Sequence, residues 1–157
     1  MSYVQSVSLS TLSLLRRGLL ALLAIGCVGL ISELVLLEHY EDKLQFVPFV
    51  LLTLALITIA WHWWDEGKRS LRYLQAVMLL FVVAGPVGMF LHVRGNYLSE
   101  REFDPSVLGL DLWLAVFRGE APTLAPGTLV QFGLLGLLYA YRHPALGPSP
   151  ETKNESQ

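Results

Sequence analysis

One cysteine, Cys27, stands in the whole sequence, in the middle of an apolar run. A lone thiol cannot close an internal disulfide, which excludes a dithiol enzyme that passes electrons to quinone. Cys27 is read as a small packing residue. Phosphate-cradling glycine loops are missing too, because Gly18, Gly26 and Gly29 fall inside an apolar segment. There is no Gly-x-Ser-x-Gly nucleophile, no His-Glu-x-x-His pair, and no internal repeat of the inverted-repeat transporter kind. The basic cluster Lys68, Arg69, Arg72 is too small for nucleic acid and suits anionic headgroups or membrane orientation.

The scarcest thing is charge over long distances. Residues 18–37, 44–61, 73–91 and 121–141 are apolar and nearly free of charge. Each approaches the ~20 residues a helix needs to cross a ~30 Å hydrocarbon core. With 54% hydrophobic residues and a mean hydropathy of +0.51, the chain is too apolar for an ordinary soluble domain. The expected fold is an all-α integral membrane protein: a four-helix transmembrane bundle, up-down-up-down, with spans near 16–38, 44–64, 71–92 and 124–142. Residues 1–145 then form a single membrane domain, and 146–157 a disordered cytoplasmic tail rich in Pro, Gly and polar residues. Arg16-Arg17 before an apolar run ending in Cys27 loosely resembles a lipoprotein signal. The run continues for ten more residues, however, and is read as a signal-anchor first helix.

Basic residues are sorted by loop. Arg16, Arg17, Lys68, Arg69, Arg72, Arg142 and Lys153 fall on one side, and Lys43, Arg94, Arg101 and Arg118 on the other. Short basic loops stay cytoplasmic, so both termini are expected there, in a bacterial inner membrane. Trp61, Trp63, Trp64, Tyr139 and Tyr141 agree as interfacial anchors. In the long outer loop, Asp104-Pro105 reads as an N-cap with Pro at N1, opening a short interfacial helix over 105–118. Gly85-Pro86 is expected to kink the third span, and residues 123–127 to form a broken approach to the fourth.

Intramembrane ionisable groups are costly and are functional candidates by default. Glu33 is the one acid inside a span, on a wheel face shared with Gly26 and Gly29, and is therefore expected to point into the bundle. Ala84, Gly88 and His92 form a second small-residue stripe ending in an imidazole. Glu33, Gln45, His92 and Gln131 thus place one polar group in the outer half of each span. If the first helix continues another turn, Glu38 and Asp42 share a face beside His39, and Asn96 follows His92 in the next loop. Glu33, Glu38, His39, Asp42 and His92 form a candidate divalent-cation set, oxygen with nitrogen suiting Zn, Mn or Fe(II). Gln45, Asn96 and Gln131 would support it. The competing reading is plain: solvated loop acids and interfacial histidines. Four histidines near the span ends, His39 and His92 outside and His62 and His143 inside, allow a bis-histidine haem as a weaker alternative.

Three functions are expected in order. The first is a small accessory or interaction subunit of a membrane complex, not an enzyme, whose partners are the bilayer and a membrane protein or a second copy. The second is a cation- or proton-binding or permeation protein using the outer acid and histidine cluster. The third is a haem redox protein.

Overall fold

The structure, a computed structural model, describes residues 2–147, with side chains from residue 11 onward. All described elements are helical: α1 (Ser2–Leu36), a 3-10 turn (Lys43–Gln45), α2 (Phe46–Asp65), α3 (Lys68–Phe103), α4 (Gly109–Arg118), α5 (Gly127–Ala140) and a second 3-10 turn (Pro144–Leu146). Three segments, Thr11–Leu36, Lys43–Asp65 and Lys68–Phe103, are long and apolar enough to cross a membrane. Helix α5, at 14 residues, rises only about 21 Å, short of the ~30 Å core. Of the expected tail 146–157, residues 148–157 lie outside the described residues.

The chain divides into two compact units, one running through Met78 and resuming at Leu135, the other Leu79–Leu134. In the first unit, α1 packs on α2. Leu20, Leu23 and Cys27 of α1 are buried, as are Leu51, Leu52, Ala55, Thr58, Ile59 and His62 of α2. Both sets recur at three and four residues, the spacing of one helical face. Ser70, Leu71, Leu74, Val77 and Met78 continue this core from α3, and Tyr139 and Ala140 from α5. Gly136 lies against Met78 and Leu23, where a Cβ would strike the Met78 side chain. Leu22, Ile25, Val28, Val50 and Ile57 are left exposed, a surface suited to lipid rather than water.

Helix α1 ends in a Schellman motif. The His39 N–H donates to Leu34 C=O (2.9 Å) and the Glu38 N–H to Val35 C=O (3.1 Å), with Glu38 left-handed at φ 51°. The extra turn that would align Glu38 with Asp42 therefore does not form. Asp42 instead caps the next 3-10 turn in a reciprocal capping box with Gln45, whose side chain accepts the Asp42 N–H at 2.9 Å.

In the second unit, α3 passes through Pro86 and continues to Phe103, beyond the expected end near residue 92. At 36 residues it rises about 54 Å, well past a ~30 Å core. Asp104-Pro105 does not open the next helix. Proline disfavours a helical residue before it, so α3 stops there. The Asp104 carboxylate accepts from Ser106 N (2.9 Å) and Ser106 Oγ (2.6 Å). These bonds hold the carboxyl below the usual carboxylate range. Arg101 Nη1 donates to Pro105 C=O (2.8 Å) and Val107 C=O (3.1 Å), closing the turn. Helix α4 begins at Gly109, whose φ of 63° suits glycine.

Gly85, Gly88, His92 and Asn96 lie along α3 at successive helical spacings, and residues from the end of α4 to the first turn of α5 seat on them. Pro126 sits against Gly88 and Gly85, and Val130 against Gly85. His92 Nδ1 donates to Pro122 C=O at 3.0 Å. Asn96, 4% exposed, donates from Nδ2 to Val116 C=O (2.9 Å) and Ala121 C=O (2.8 Å) and accepts the Ala121 N–H (3.1 Å). The expected broken approach to α5 is present as successive tight turns over residues 122–129.

Candidate functional site

The polar candidates from sequence are spread over several elements. Glu33 is exposed on α1. The packing face is set by Leu20, Leu23 and Cys27, and Glu33 lies about a third of a turn away from its centre. Gly29, expected beside it at an interface, has open space where a Cβ would be. Glu38 and Asp42 are exposed and His39 and His92 half-buried. Among the described residues, no three His, Cys, Asp or Glu side chains come together to hold a metal ion, these five included. Gln45 and Asn96 serve the backbone, as described above. Gln131 is exposed, whereas Gly133, Gly136 and Ala140 on another face of α5 are buried.

A polar cluster instead forms in the first unit, where the end of α2, the start of α3, the end of α5 and Arg16-Arg17 of α1 meet. His62 is 1% exposed and Ser70 fully buried. Ser70 Oγ donates its one hydrogen to Gly67 C=O at 3.0 Å. Its lone pair then accepts from His62 Nδ1 at 2.8 Å. The network thereby assigns the His62 proton to Nδ1. Nε2 is left bare, buried and without a hydrogen-bond partner among the described residues.

His143 has the opposite tautomer. Its Nδ1 accepts the Ala145 N–H at 3.2 Å, capping the last 3-10 turn. The proton therefore sits on Nε2, which donates to Tyr139 Oη at 3.3 Å. The Tyr139 O–H remains as a donor. The His62 ring meets Tyr139 edge-on at 5.6 Å and His143 at 5.4 Å. This close edge contact leaves no room for a macrocycle between His62 and His143, which corrects the haem reading for that pair. Burial, helped by His62 and Arg16, pulls the His143 imidazole below its ordinary value, against a smaller upward pull from Glu66.

Beside this cluster a half-open cleft of about 260 Å³ is lined by Ser13, Arg16, Arg17, Glu66, Tyr139, His143, Pro144 and Ala145. Arg16 Nη2 donates to Arg142 C=O at 3.1 Å. Arg17 and Glu66 pair at 3.5 Å across exposed side chains, a geometry worth little in energy. Glu66 and Arg142 both hold left-handed backbone, at φ 45° and 47°. Exposed aromatics surround this end: Trp61, Trp63, Trp64, Tyr73 and Tyr141, with Trp61 and Tyr73 in ring contact at 5.4 Å and Arg142 over Tyr141 at 5.6 Å.

In the sequence His62 stands among the interfacial anchors Trp61, Trp63 and Trp64, which hide its inward phase. The phase of Leu51, Ala55, Thr58 and His62 carried the signal that it faces inward, opposite to its tryptophan neighbours. Tyr139 and His143, four residues apart across the end of α5, carried the second. The chain matches no protein family, no curated protein and no solved structure.

Proposed function

We propose that the chain is an integral protein of a bacterial inner membrane, with α5 and its preceding turns completing a four-helix, up-down-up-down bundle. Both termini are cytoplasmic. The protein works as an accessory subunit that docks on a membrane partner. Basic side chains ringed by tryptophan and tyrosine at the His62 end support this orientation.

The observation that carries the reading is α4. It packs Leu112 and Val116 inward yet leaves Leu110, Trp113, Leu114 and Phe117 exposed. Trp113 is flanked by Tyr97 at 6.1 Å and Phe117 at 6.5 Å. The Asn96 bonds fix the end of this helix to α3, so it presents a rigid apolar shelf at the outer interface rather than a flexible loop. Large aromatic side chains on such a shelf are the usual anchors of a protein interface. The shelf contacts an apolar surface of the partner at headgroup depth.

Isolation in native nanodiscs tests this. A stoichiometric partner is expected with the wild type and lost with Trp113→Ala/Phe117→Ala, while that variant stays folded and inserted. A lone, monodisperse protein in both cases overturns the subunit reading. A doubled mass would identify the partner as a second copy. The alternative of a cation or proton site at the outer face draws no support from the exposed positions of Glu33, Glu38 and Asp42.

A further inference from the structure

We propose that the cleft between Arg16, Arg17, Tyr139 and His143 binds the phosphate of an anionic lipid headgroup. This rests on the reading of the chain as a membrane protein, and it adds a ligand within the first unit.

The donors define the ligand. Arg16 spends one of its five N–H groups on Arg142 C=O, and the others remain. Among the described residues, Arg17 holds only the long, exposed contact to Glu66. Because His143 Nε2 donates into the Tyr139 oxygen, the Tyr139 O–H is left for the cleft. Two guanidiniums and a phenol hydroxyl face one carboxylate, Glu66, which a bound anion displaces from Arg17. Forked guanidinium donors match a tetrahedral oxyanion, and a group with several acceptor oxygens satisfies all three side chains together.

Size and depth narrow the class further. About 260 Å³ lies below the range of ordinary small-molecule pockets, about 300–1,000 Å³. That accommodates a headgroup phosphate rather than a nucleotide. The exposed Trp61, Trp64, Tyr73 and Tyr141 mark the level at which aromatic rings meet headgroups. A phosphate at that level belongs to a lipid. A headgroup without a compensating amine, such as phosphatidylglycerol, leaves the guanidiniums its full negative charge.

The test is lipid retention after reconstitution in mixed phosphatidylcholine and phosphatidylglycerol, read by native mass spectrometry. Wild type is expected to retain phosphatidylglycerol at about thirtyfold above its bulk ratio, the scale two surface cations supply. Arg16→Gln/Arg17→Gln should return the ratio to bulk, and Tyr139→Phe should lower it while keeping the ring packing. Lys68→Gln/Arg69→Gln, equally basic but outside the cleft, should leave it unchanged. Equal loss in both double variants means diffuse surface attraction and overturns the site, as does full retention by Arg16→Gln/Arg17→Gln. If that variant does not insert, retention unchanged in Tyr139→Phe overturns the site. Displacement of the lipid by excess inorganic phosphate overturns the lipid assignment in favour of a free anion. Flotation with pure phosphatidylcholine vesicles reports separately on the membrane reading. Failure to float fells that reading, whereas lost enrichment with flotation intact fells only the lipid site.

Discussion

The His62 Nδ1–H donates to Ser70 Oγ at 2.8 Å, a bond formed wholly inside the protein between the end of one helix and the start of the next. Removing only the hydroxyl strands an imidazole N–H that already has an unpartnered nitrogen opposite. Ser70→Ala is expected to destabilise by about 1–3 kcal/mol in thermal unfolding in detergent. His62→Phe/Ser70→Ala should cost less than the sum of the single changes, because both polar partners leave together. Additive costs would show that the two side chains do not act as a pair.

Asn96 and Gly119 are held equally tightly. A Cβ at residue 119 would lie 2.5 Å from Asn96 Cγ, so Gly119→Ala must push the amide off its three backbone bonds. We expect a loss of about 1–3 kcal/mol for Gly119→Ala and a similar or larger one for Asn96→Ala, which orphans buried carbonyls. Both variants should also speed proteolysis between α4 and α5. Wild-type protease resistance in Asn96→Ala would show that the clasp does not order this loop.

Much of the helical layout was legible because hydrocarbon thickness and a charge-free run of ~20 residues are the same constraint seen twice. The stretch 44–64 coincides with Lys43–Asp65, α2 and its preceding 3-10 turn, which is long and apolar enough to cross a membrane. The end of α3 was not legible. Arg94, Glu100 and Arg101 mark where the sequence becomes polar, but charge does not stop a helix once it leaves the apolar core. Only Pro105 does, and Asp104 before it reads equally well as a cap or a stop. Glu33 was misplaced for another reason. Glycines permit close helix approach without requiring it, and the bulkier Leu20 and Leu23 fix the face of α1. Of the candidate site, the two arginines and four histidines were visible, but the proximity of His62 to His143 depends on tertiary packing that no periodicity encodes.

Glu38 closes α1 in a left-handed conformation that glycine adopts without cost. Glu38→Gly is expected to raise stability by up to about 1 kcal/mol, visible as a higher unfolding temperature. A lowered temperature would mean that the carboxylate makes a contribution larger than the backbone relief.

His143 supplies a pH dependence of defined sign. Its folded-state value lies below the ordinary one, so folding favours the neutral ring. Arg16 and Arg17 from α1, His62 from α2, Glu66 from the following turn and Tyr139 from α5 face it. The stabilisation is complete above its unfolded value of about 6.5 and is lost as pH falls from there towards the lowered value. Amide exchange at Ala145, whose N–H His143 caps, should accelerate relative to the intrinsic rate over that window. His143→Gln should flatten the response. Exchange protection unchanged down to pH 5 would contradict the assignment.

In the proposed topology α3 carries the chain from one side of a bilayer to the other. Its ends can be labelled directly, in a Cys27→Ala background, with Lys68→Cys in one protein and Ser106→Cys in another. An impermeant thiol reagent applied to intact spheroplasts is expected to modify residue 106 at once and residue 68 only after the membrane is opened. Modification of both positions from the same side would contradict the account.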